Sequence, residues 1–234
     1  MPVKAVYSMK QFGKEGQTFL VEETLIGEEF SSYAISDGNN FKIIGHAQDN
    51  KRAYNFDEGE NTGGIGCTSK PLVITKQIEK QIEEIFRKTF AGLSKEGRPY
   101  TGILYLGGMI VGSRKPKVYI IEFNSRWGDP EIEVVLPAVV NDLFEVSMAV
   151  VDKKVGKLKI KNDGNYRIAV TAAPKGYPGD YSNVKGKKIF GIENAVKVKN
   201  VKIYGAGVKK KNGNYIVSSG RLVHVVGVGK NVIE

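Results

Sequence analysis

Glu122 and Asn124 are the two residues of this sequence whose types and spacing are best suited to bind a metal ion. They lie two positions apart in a run whose β-branched and aromatic residues predict a strand, and side chains at positions i and i+2 of a strand share a face. A carboxylate and an amide oxygen there suit Mg²⁺ held jointly with nucleotide phosphates. The same pattern is also typical of an exposed polar strand face. We expect the alternating apolar side chains to enter a core: Tyr119, Ile121 and Phe123.

Arg126 follows this strand by two residues, where the chain is expected to turn into a helix. A guanidinium at this position could stabilise charge on a transferring phosphoryl group or an acyl phosphate, which makes Arg126 the candidate catalytic residue. The alternative is an ion pair with Asp129 or Glu131. Asp129, Pro130 and Glu131 have the residue types of a helix start, so we interpret Asp129 as a helix cap.

The segment from Glu22 to Glu29 is a candidate site for the base and ribose of a nucleotide. We expect it to leave one strand, pass Gly27 and enter another strand, which frees backbone N–H and C=O groups to bind the edge of a base. A carboxylate just beyond can accept hydrogen bonds from both ribose hydroxyls. A charged hairpin is the alternative.

The stretch from Gln48 to Lys70 is polar and rich in glycine, and it predicts a long loop. Lys51 and Arg52 could add charge-assisted contacts to phosphates. The glycines of Asn61–Gly66 let backbone N–H groups approach an anion closely. A flexible surface loop is the alternative, although structureless loops of this length are usually functional or disordered.

An α+β scaffold is predicted around these candidates. Strands are expected over residues 18–22, 30–35, 41–45, 102–111 and 117–123. Apolar residues at helical spacing predict one helix after Thr75 and a second from Asp129 to about Phe144, while residues 3–16 have the pattern of a helix end. After about residue 160 short strands alternate with turns. We therefore predict two domains, 1–160 and 161–234, the second small and β-rich.

Composition excludes several classes of protein. A single cysteine, Cys67, excludes an internal disulfide and favours a cytoplasmic location, and with only two histidines a cysteine–histidine zinc site is not expected. No apolar run approaches the roughly 20 residues of a membrane span. Residues 153–234 carry 18 Lys and Arg against 4 Asp and Glu. A solvated basic surface explains this charge better than nucleic-acid binding, because the aromatic pattern of an RNA-binding sheet is absent.

The order of the segments resembles the glycinamide ribonucleotide synthetase family, also called phosphoribosylamine–glycine ligase, of the ATP-grasp superfamily. The motifs that carry the resemblance are Glu22–Glu29, Gln48–Arg52, Asn61–Gly66, Glu122–Glu131, Gly176–Tyr181 and Ser219–Arg221. It covers nearly the whole chain. The implied fold is the second half of an ATP-grasp module, an antiparallel sheet with helices, followed by a small, mostly β C-terminal domain.

The resemblance also implies a reaction. ATP, with Mg²⁺ or Mn²⁺, would phosphorylate the carboxylate of glycine, and 5-phosphoribosylamine would attack the acyl phosphate. Glu122 and Asn124 would bind the metal. The residues expected to bind the nucleotide are Glu22, Glu23, Leu25 and Glu29. The residues expected to bind phosphates and substrate are Lys51, Arg52, Asn61, Thr62, Gly63 and Gly64, beside Arg126.

The family has an N-terminal domain and a first half of the ATP-grasp module that correspond to nothing in this sequence. The chain is therefore expected to begin inside the nucleotide lid and to have little ligase activity alone. Whether a separate chain supplies the other half is left open. Three alternatives also stay open: another ATP-grasp carboxylate–amine ligase, a non-catalytic nucleotide-binding fragment, and a nucleic-acid binder that uses the basic half.

Overall fold

The computed structural model of the chain describes residues 20–233, together with residues 13, 14 and 18. Its strands are β1 Glu28–Asp37, β2 Phe41–Tyr54, β3 Glu58–Ser69, β4 Thr101–Val111, β5 Lys117–Asn124, β6 Tyr166–Ala172, β7 Lys188–Ile189, β8 Val201–Gly205, β9 Val208–Lys211, β10 Asn214–Val217 and β11 Val223–Gly229. Its α-helices are α1 Lys76–Lys95, α2 Ile132–Val135, α3 Leu143–Val151 and α4 Ile192–Ala195.

An eight-stranded antiparallel sheet forms the centre of the described structure. Its strand order is β5-β4-β1-β2-β3-β6-β11-β8, and a separate three-stranded sheet has the order β7-β10-β9. Strand β1 lies between β4 and β2, with Ser31 opposite both Gly107 and Ala47. The mixed composition of helices and a large antiparallel sheet confirms the predicted α+β class.

The large sheet is buried on both faces along β1. Phe30 and Ala34 pack on one side with Ile78, Ile82 and Phe86 of helix α1. Tyr33 and Ile35 of β1 point to the other side. There they pack in a second cluster with Val134 and Val135 of α2, Val146 of α3, and Val155. From Phe30 onward the strand has no solvent-exposed face, as is typical of the middle of a layered structure.

Helix α1 begins where the sequence predicts. The Thr75 hydroxyl accepts a hydrogen bond from the Ile78 N–H at 3.3 Å, which satisfies one of the free N–H groups of the first turn. The predictions of β4 and β5 are likewise confirmed to within one residue at each end.

Two predictions for the first part of the chain are wrong. Of the described residues from 18 to 27, none belongs to a strand, so the run at 18–22 is not part of a meander. The stretch 48–70 is not a loop, because β2 and β3 form a long hairpin joined at Asn55–Asp57. Pairing with β6 also holds the Gly66–Ser69 end of β3 in strand conformation. The helix end predicted over residues 3–16 falls outside the described residues, apart from 13 and 14.

The prediction of a single helix from Asp129 to about Phe144 is also wrong. Helix α2 is four residues long and passes into a 3₁₀ turn that contains Pro137. Proline has no N–H to continue the helical hydrogen bonds, so the helix stops there. Helix α3 starts separately, with the Asp142 carboxylate accepting from the Phe144 N–H at 2.7 Å. Asp129 caps neither helix.

Strands from both sides of residue 160 belong to the large sheet. Strand β6 pairs with β3, with Cys67 opposite Ala169, and β11 and β8 continue the sheet beyond it. The boundary at residue 160 stays a prediction, and the two sides of it share one hydrogen-bonded framework. No helix in the described part of the chain combines the length and the apolar character needed to cross a membrane.

Candidate functional site

A cleft of about 790 Å³ lies between residues 25–29 and the β2–β3 hairpin. Its lining includes five of the predicted site residues on the two sides: Leu25, Glu29, Lys51, Arg52 and Asn61. Gly27 holds the 25–29 segment flat against β4, because a Cβ at this position would lie 2.2 Å from the Ile110 carbonyl oxygen. The cleft therefore depends on a close backbone approach that only glycine permits.

A second, smaller cavity of about 230 Å³ continues the cleft toward β5 and reaches Glu122. Four residues line both spaces: Glu29, Asp49, Lys51 and Asn61. The structure thus brings together predicted site residues from four separate segments of the sequence. A molecule that extends from the cleft toward Glu122 would pass the Lys51 ammonium.

Glu122 and Asn124 lie side by side on β5. The Asn124 Nδ2 donates a hydrogen bond to Glu122 Oε1 at 2.9 Å, which leaves the amide oxygen available. Gly107 on the neighbouring strand leaves room beside them, since a Cβ there would lie 3.3 Å from the Glu122 Cγ. The pair fits one divalent ion bound by hard oxygen ligands.

The apolar residues of β5 do not enter a core as expected. Tyr119, Ile121 and Phe123 keep 40%, 46% and 37% of their surface exposed. Strand β5 is the edge of the sheet, and a bulge opposite Gly107 and Gly108 shifts its register. The bulge interrupts the alternation, so that Ile121 and Glu122 line the same cavity, and neither face of this edge is fully covered by the described residues.

Lys51 is a charged group at the junction of the two cavities. Its Nζ lies 2.8 Å from Glu29 Oε2. Burial disfavours the ammonium, but the hydrogen bond and the charge of Glu29 outweigh this effect and raise the pKa of Lys51. The side chain therefore stays positive at the place where a polyphosphate would lie. Arg52 also lines the cleft, although its Nη1 donates to the Gly59 carbonyl oxygen at 2.8 Å within the hairpin.

The expected anion-binding N–H groups of Gly63 and Gly64 are already hydrogen-bonded. The Gly63 N–H donates to the Tyr177 hydroxyl at 3.1 Å, and the Gly64 N–H donates to Thr62 Oγ1 at 3.0 Å. Arg221 Nη1 donates to the carbonyl oxygens of both glycines, at 2.7 and 3.2 Å. These contacts fasten strand β3 to the C-terminal part of the chain, and the phosphate-binding role of Gly63 and Gly64 stays a prediction.

Seven predicted site residues line neither cavity: Glu22, Glu23, Thr62, Gly63, Gly64, Asn124 and Arg126. Glu22 and Glu23 are exposed. Arg126 is exposed, and its Nη1 donates to the Trp127 carbonyl oxygen at 3.0 Å. Neither of the two expected ion-pair partners of Arg126 contacts it directly. Asp129 instead binds Arg221 and His224, and Glu131 accepts from Ser31.

Asp49 is the functional candidate to which the sequence assigned no role. It lines both cavities, and its Oδ1 is buried without a hydrogen-bond partner among the described residues. Burial, together with the charge of Glu131, raises the pKa of Asp49 to about 8, although the positive charges of Lys51 and Arg221 lower it in part. Asp49 and Lys51 share a face of β2 by alternation, a signal that only a strand assignment for this stretch would have revealed.

The sequence matches two family profiles that follow one another along the chain. Residues 2–132 match the phosphoribosylglycinamide synthetase ATP-grasp (A) domain, and residues 167–234 match the phosphoribosylglycinamide synthetase C domain. The chain belongs to the phosphoribosylglycinamide synthetase family. The resemblance seen in the order of the motifs is confirmed.

Relatives of this chain include phosphoribosylamine–glycine ligase of Pasteurella multocida, 39% identical over 99% of the chain and 53% of the relative. The trifunctional purine biosynthetic protein adenosine-3 of Gallus gallus is 39% identical over 99% of the chain and 23% of the relative. The chain thus spans about half the length of the bacterial ligase.

The similar solved structures include a member of the same family and a more distant protein with a similar fold. Phosphoribosylamine–glycine ligase of Thermotoga maritima aligns with a TM-score of 0.76 at 35% identity, over 91% of this chain and 51% of that one. A biotin carboxylase of Campylobacter jejuni aligns with a TM-score of 0.63 at 16% identity, over 97% and 48%. The second similarity shows a shared fold only.

Proposed function

We propose that the chain supplies the nucleotide and metal site of a ligase that joins glycine to 5-phosphoribosylamine and releases glycinamide ribonucleotide, ADP and phosphate. The observation that carries the proposal is the convergence of Glu122 with Lys51 and Glu29 around two connected cavities, with Asn124 hydrogen-bonded to Glu122. Family membership favours this chemistry over other ligations, and the names of the relatives supply the two substrates.

In the proposed reaction a carboxylate oxygen of glycine attacks the terminal phosphorus of ATP, and ADP leaves. The amine nitrogen of 5-phosphoribosylamine then attacks the acyl carbon, phosphate leaves, and the nitrogen loses a proton. Both steps require positioning and charge stabilisation more than a protein nucleophile. The nucleotide would lie along the cleft, with its base beside the backbone of Leu25–Gly27 and its phosphates beside Lys51.

Glu122 and Asn124 would hold Mg²⁺ or Mn²⁺ through the carboxylate and the free amide oxygen. The ion, when bound, neutralises charge on the phosphates during transfer. Asp49 and Asn61 face the same small cavity from the hairpin, where they would contact the acyl-forming substrate. A cytoplasmic location stays a prediction from the single cysteine.

Binding of ATP by isothermal titration tests the proposal, with and without Mg²⁺. We expect Glu122→Gln to weaken ATP binding by about 10- to 100-fold in Mg²⁺ and to leave the weaker, metal-free binding unchanged. Glu83→Gln is the matched control, because Glu83 is an exposed residue of helix α1 that lines neither cavity. Failure of the parent chain to bind ATP would refute the nucleotide site, and equal affinities in Mg²⁺ would refute the metal pair.

Release of ADP distinguishes the proposed ligase from its alternatives. Release that depends on both glycine and 5-phosphoribosylamine supports the proposed reaction, and release with a different carboxylate supports another ATP-grasp ligase. ATP binding without turnover, also after addition of the remaining half of a relative, supports a non-catalytic fragment.

A further inference from the structure

Three potential metal ligands lie together outside the nucleotide cleft, where β11 passes the turn that precedes α2. They are Asp129, Glu133 and His224, and their nearest ligand atoms all lie within 4.8 Å of one another. His224 Nε2 is 2.9 Å from Asp129 Oδ1. None of the three lines the nucleotide cleft or the smaller cavity next to it.

His224 is held in the orientation that a metal ligand needs. Its side chain is only 1% exposed, and its Nδ1 is 2.8 Å from the hydroxyl of Thr171, the residue opposite it on β6. When Nδ1 carries the proton and donates to Thr171, Nε2 presents a lone pair toward Asp129. Histidines that bind metals commonly have their second nitrogen fixed by such a partner.

Glu133 offers a carboxylate oxygen that lacks a partner. Its Oε2 is buried and makes no hydrogen bond with any described residue. Burial, with the nearby charge of Asp129, raises the pKa of Glu133. A buried polar atom without a partner is costly, and a cation between Glu133 and Asp129 would remove that cost. Asp129 keeps 49% of its side chain exposed, which gives an ion a path from solvent.

Arg221 is the charged group that competes for this place. Its Nη1 lies 2.9 Å from Asp129 Oδ1 and also donates to the backbone oxygen of Asp129 at 2.6 Å. The carbonyl oxygens of Gly63 and Gly64 bind the same nitrogen. These three carbonyl contacts hold the guanidinium without the carboxylate. Two carboxylates and one guanidinium leave a net charge of −1 beside a neutral imidazole, so a divalent cation is attracted and not repelled.

We propose that Asp129, Glu133 and His224 bind a divalent transition-metal ion, for which Zn²⁺ is the probe. One imidazole nitrogen and two carboxylate oxygens, with solvent as a fourth ligand, suit Zn²⁺, and imidazole favours it over Mg²⁺. The ion joins the turn after β5 to β11 in the C-terminal part of the chain. This site is separate from the oxygen pair of Glu122 and Asn124 and does not depend on the proposed ligase reaction.

The histidine content of the chain makes the test direct, because His46 and His224 are its only histidines. The full chain, labelled with ¹⁵N, is titrated with Zn²⁺ in an excess of Mg²⁺ that fills the oxygen site. We expect one equivalent of Zn²⁺ to shift the ring signals of His224 and to leave those of His46 unchanged. No binding, or a shift of His46 alone, would overturn the proposal.

Two variants test the ligands, and a third serves as the control. His224→Ala and Glu133→Gln should each weaken Zn²⁺ binding by about 100-fold in isothermal titration, while His46→Ala should retain the parent affinity. Glu133→Gln keeps the side-chain volume, so it covers the case in which His224→Ala does not fold. In the parent Zn²⁺ should raise the thermal unfolding temperature, and in Glu133→Gln it should not. Parent-like Zn²⁺ affinity in Glu133→Gln would show that the cluster is an ion-pair network only.

Discussion

Asp49→Asn should change how the stability of the protein depends on pH. The substitution keeps the size of the side chain and removes its charge from the wall shared by the two cavities. Burial raises the pKa of Asp49 from 3.8 to about 8. Because this folded pKa lies above the unfolded value, the folded state binds the proton more tightly. The free energy of unfolding contributed by Asp49 therefore falls as the pH rises from about 4 to about 8.

The magnitude follows from the width of that pH window. Each pH unit inside it changes the free energy of unfolding by about 1.4 kcal/mol, so the interval from pH 5 to pH 8 gives roughly 4 kcal/mol as an upper limit. Asp49 lines both cavities, and the positive charges of Lys51 and Arg221 stabilise its carboxylate. We therefore expect an effect of about 1–2 kcal/mol.

Urea unfolding of parent and variant at pH 5 and pH 8 measures this effect. Other titrating groups contribute equally to both proteins, so the difference between variant and parent isolates Asp49. We expect Asp49→Asn to gain stability relative to the parent as the pH rises, and we expect no such trend for Asp152→Asn, which alters an exposed carboxylate. A difference between Asp49→Asn and the parent that is the same at both pH values would refute the argument.

Two further substitutions test the contacts around the site by thermal and urea unfolding. Gly64→Ala should destabilise the protein by about 2 kcal/mol or more. The reason is that the φ angle of Gly64 is +104° and that an added Cβ would lie 2.6 Å from Pro130 Cδ. The control is Gly92→Ala on helix α1, where an added Cβ meets nothing within 4 Å; it should stabilise the protein by roughly 0.5–1 kcal/mol. Asp163→Asn should cost roughly 3 kcal/mol at pH 7, because it leaves the buried Arg167 unpaired. The hydrogen bond from Arg167 lowers the pKa of Asp163 to about 2, so this cost should shrink as the pH falls below about 4. Equal stabilities of Gly64→Ala and Gly92→Ala, or a pH-independent cost for Asp163→Asn, would contradict these expectations.

Elements with a strong local pattern could be predicted from the sequence. Helix α1 has its apolar stripe, its cap at Thr75 and no internal breaker, and the structure forms it as expected. The β2–β3 hairpin could not be predicted, because its glycines, asparagines and charges disfavour strands locally. Its conformation comes from pairing with β1 and β6, which is tertiary information.

The same distinction applies to the site. Alternation along β5 correctly placed Glu122 beside Asn124, since only one residue separates them. The contacts of Gly63 and Gly64 in β3 could not be predicted, because their partners Tyr177 and Arg221 lie 114 to 158 residues further along the chain. Short-range spacing carries no signal of such contacts, and a glycine-rich turn has the same composition whether it binds an anion or another part of the protein.

The shared sheet limits how the chain could be divided in evolution or in the laboratory. A truncation at residue 160 would remove β6 and leave β3 as a new open edge along Gly66–Ser69, with its backbone donors and acceptors unpaired. Such an edge invites pairing with other molecules. The shortened protein would also lose the guanidinium of Arg221, which ties Gly63 of β3 to Asp129. Gene fusions and expression fragments of this family should therefore join at points that keep both sides of residue 160 together.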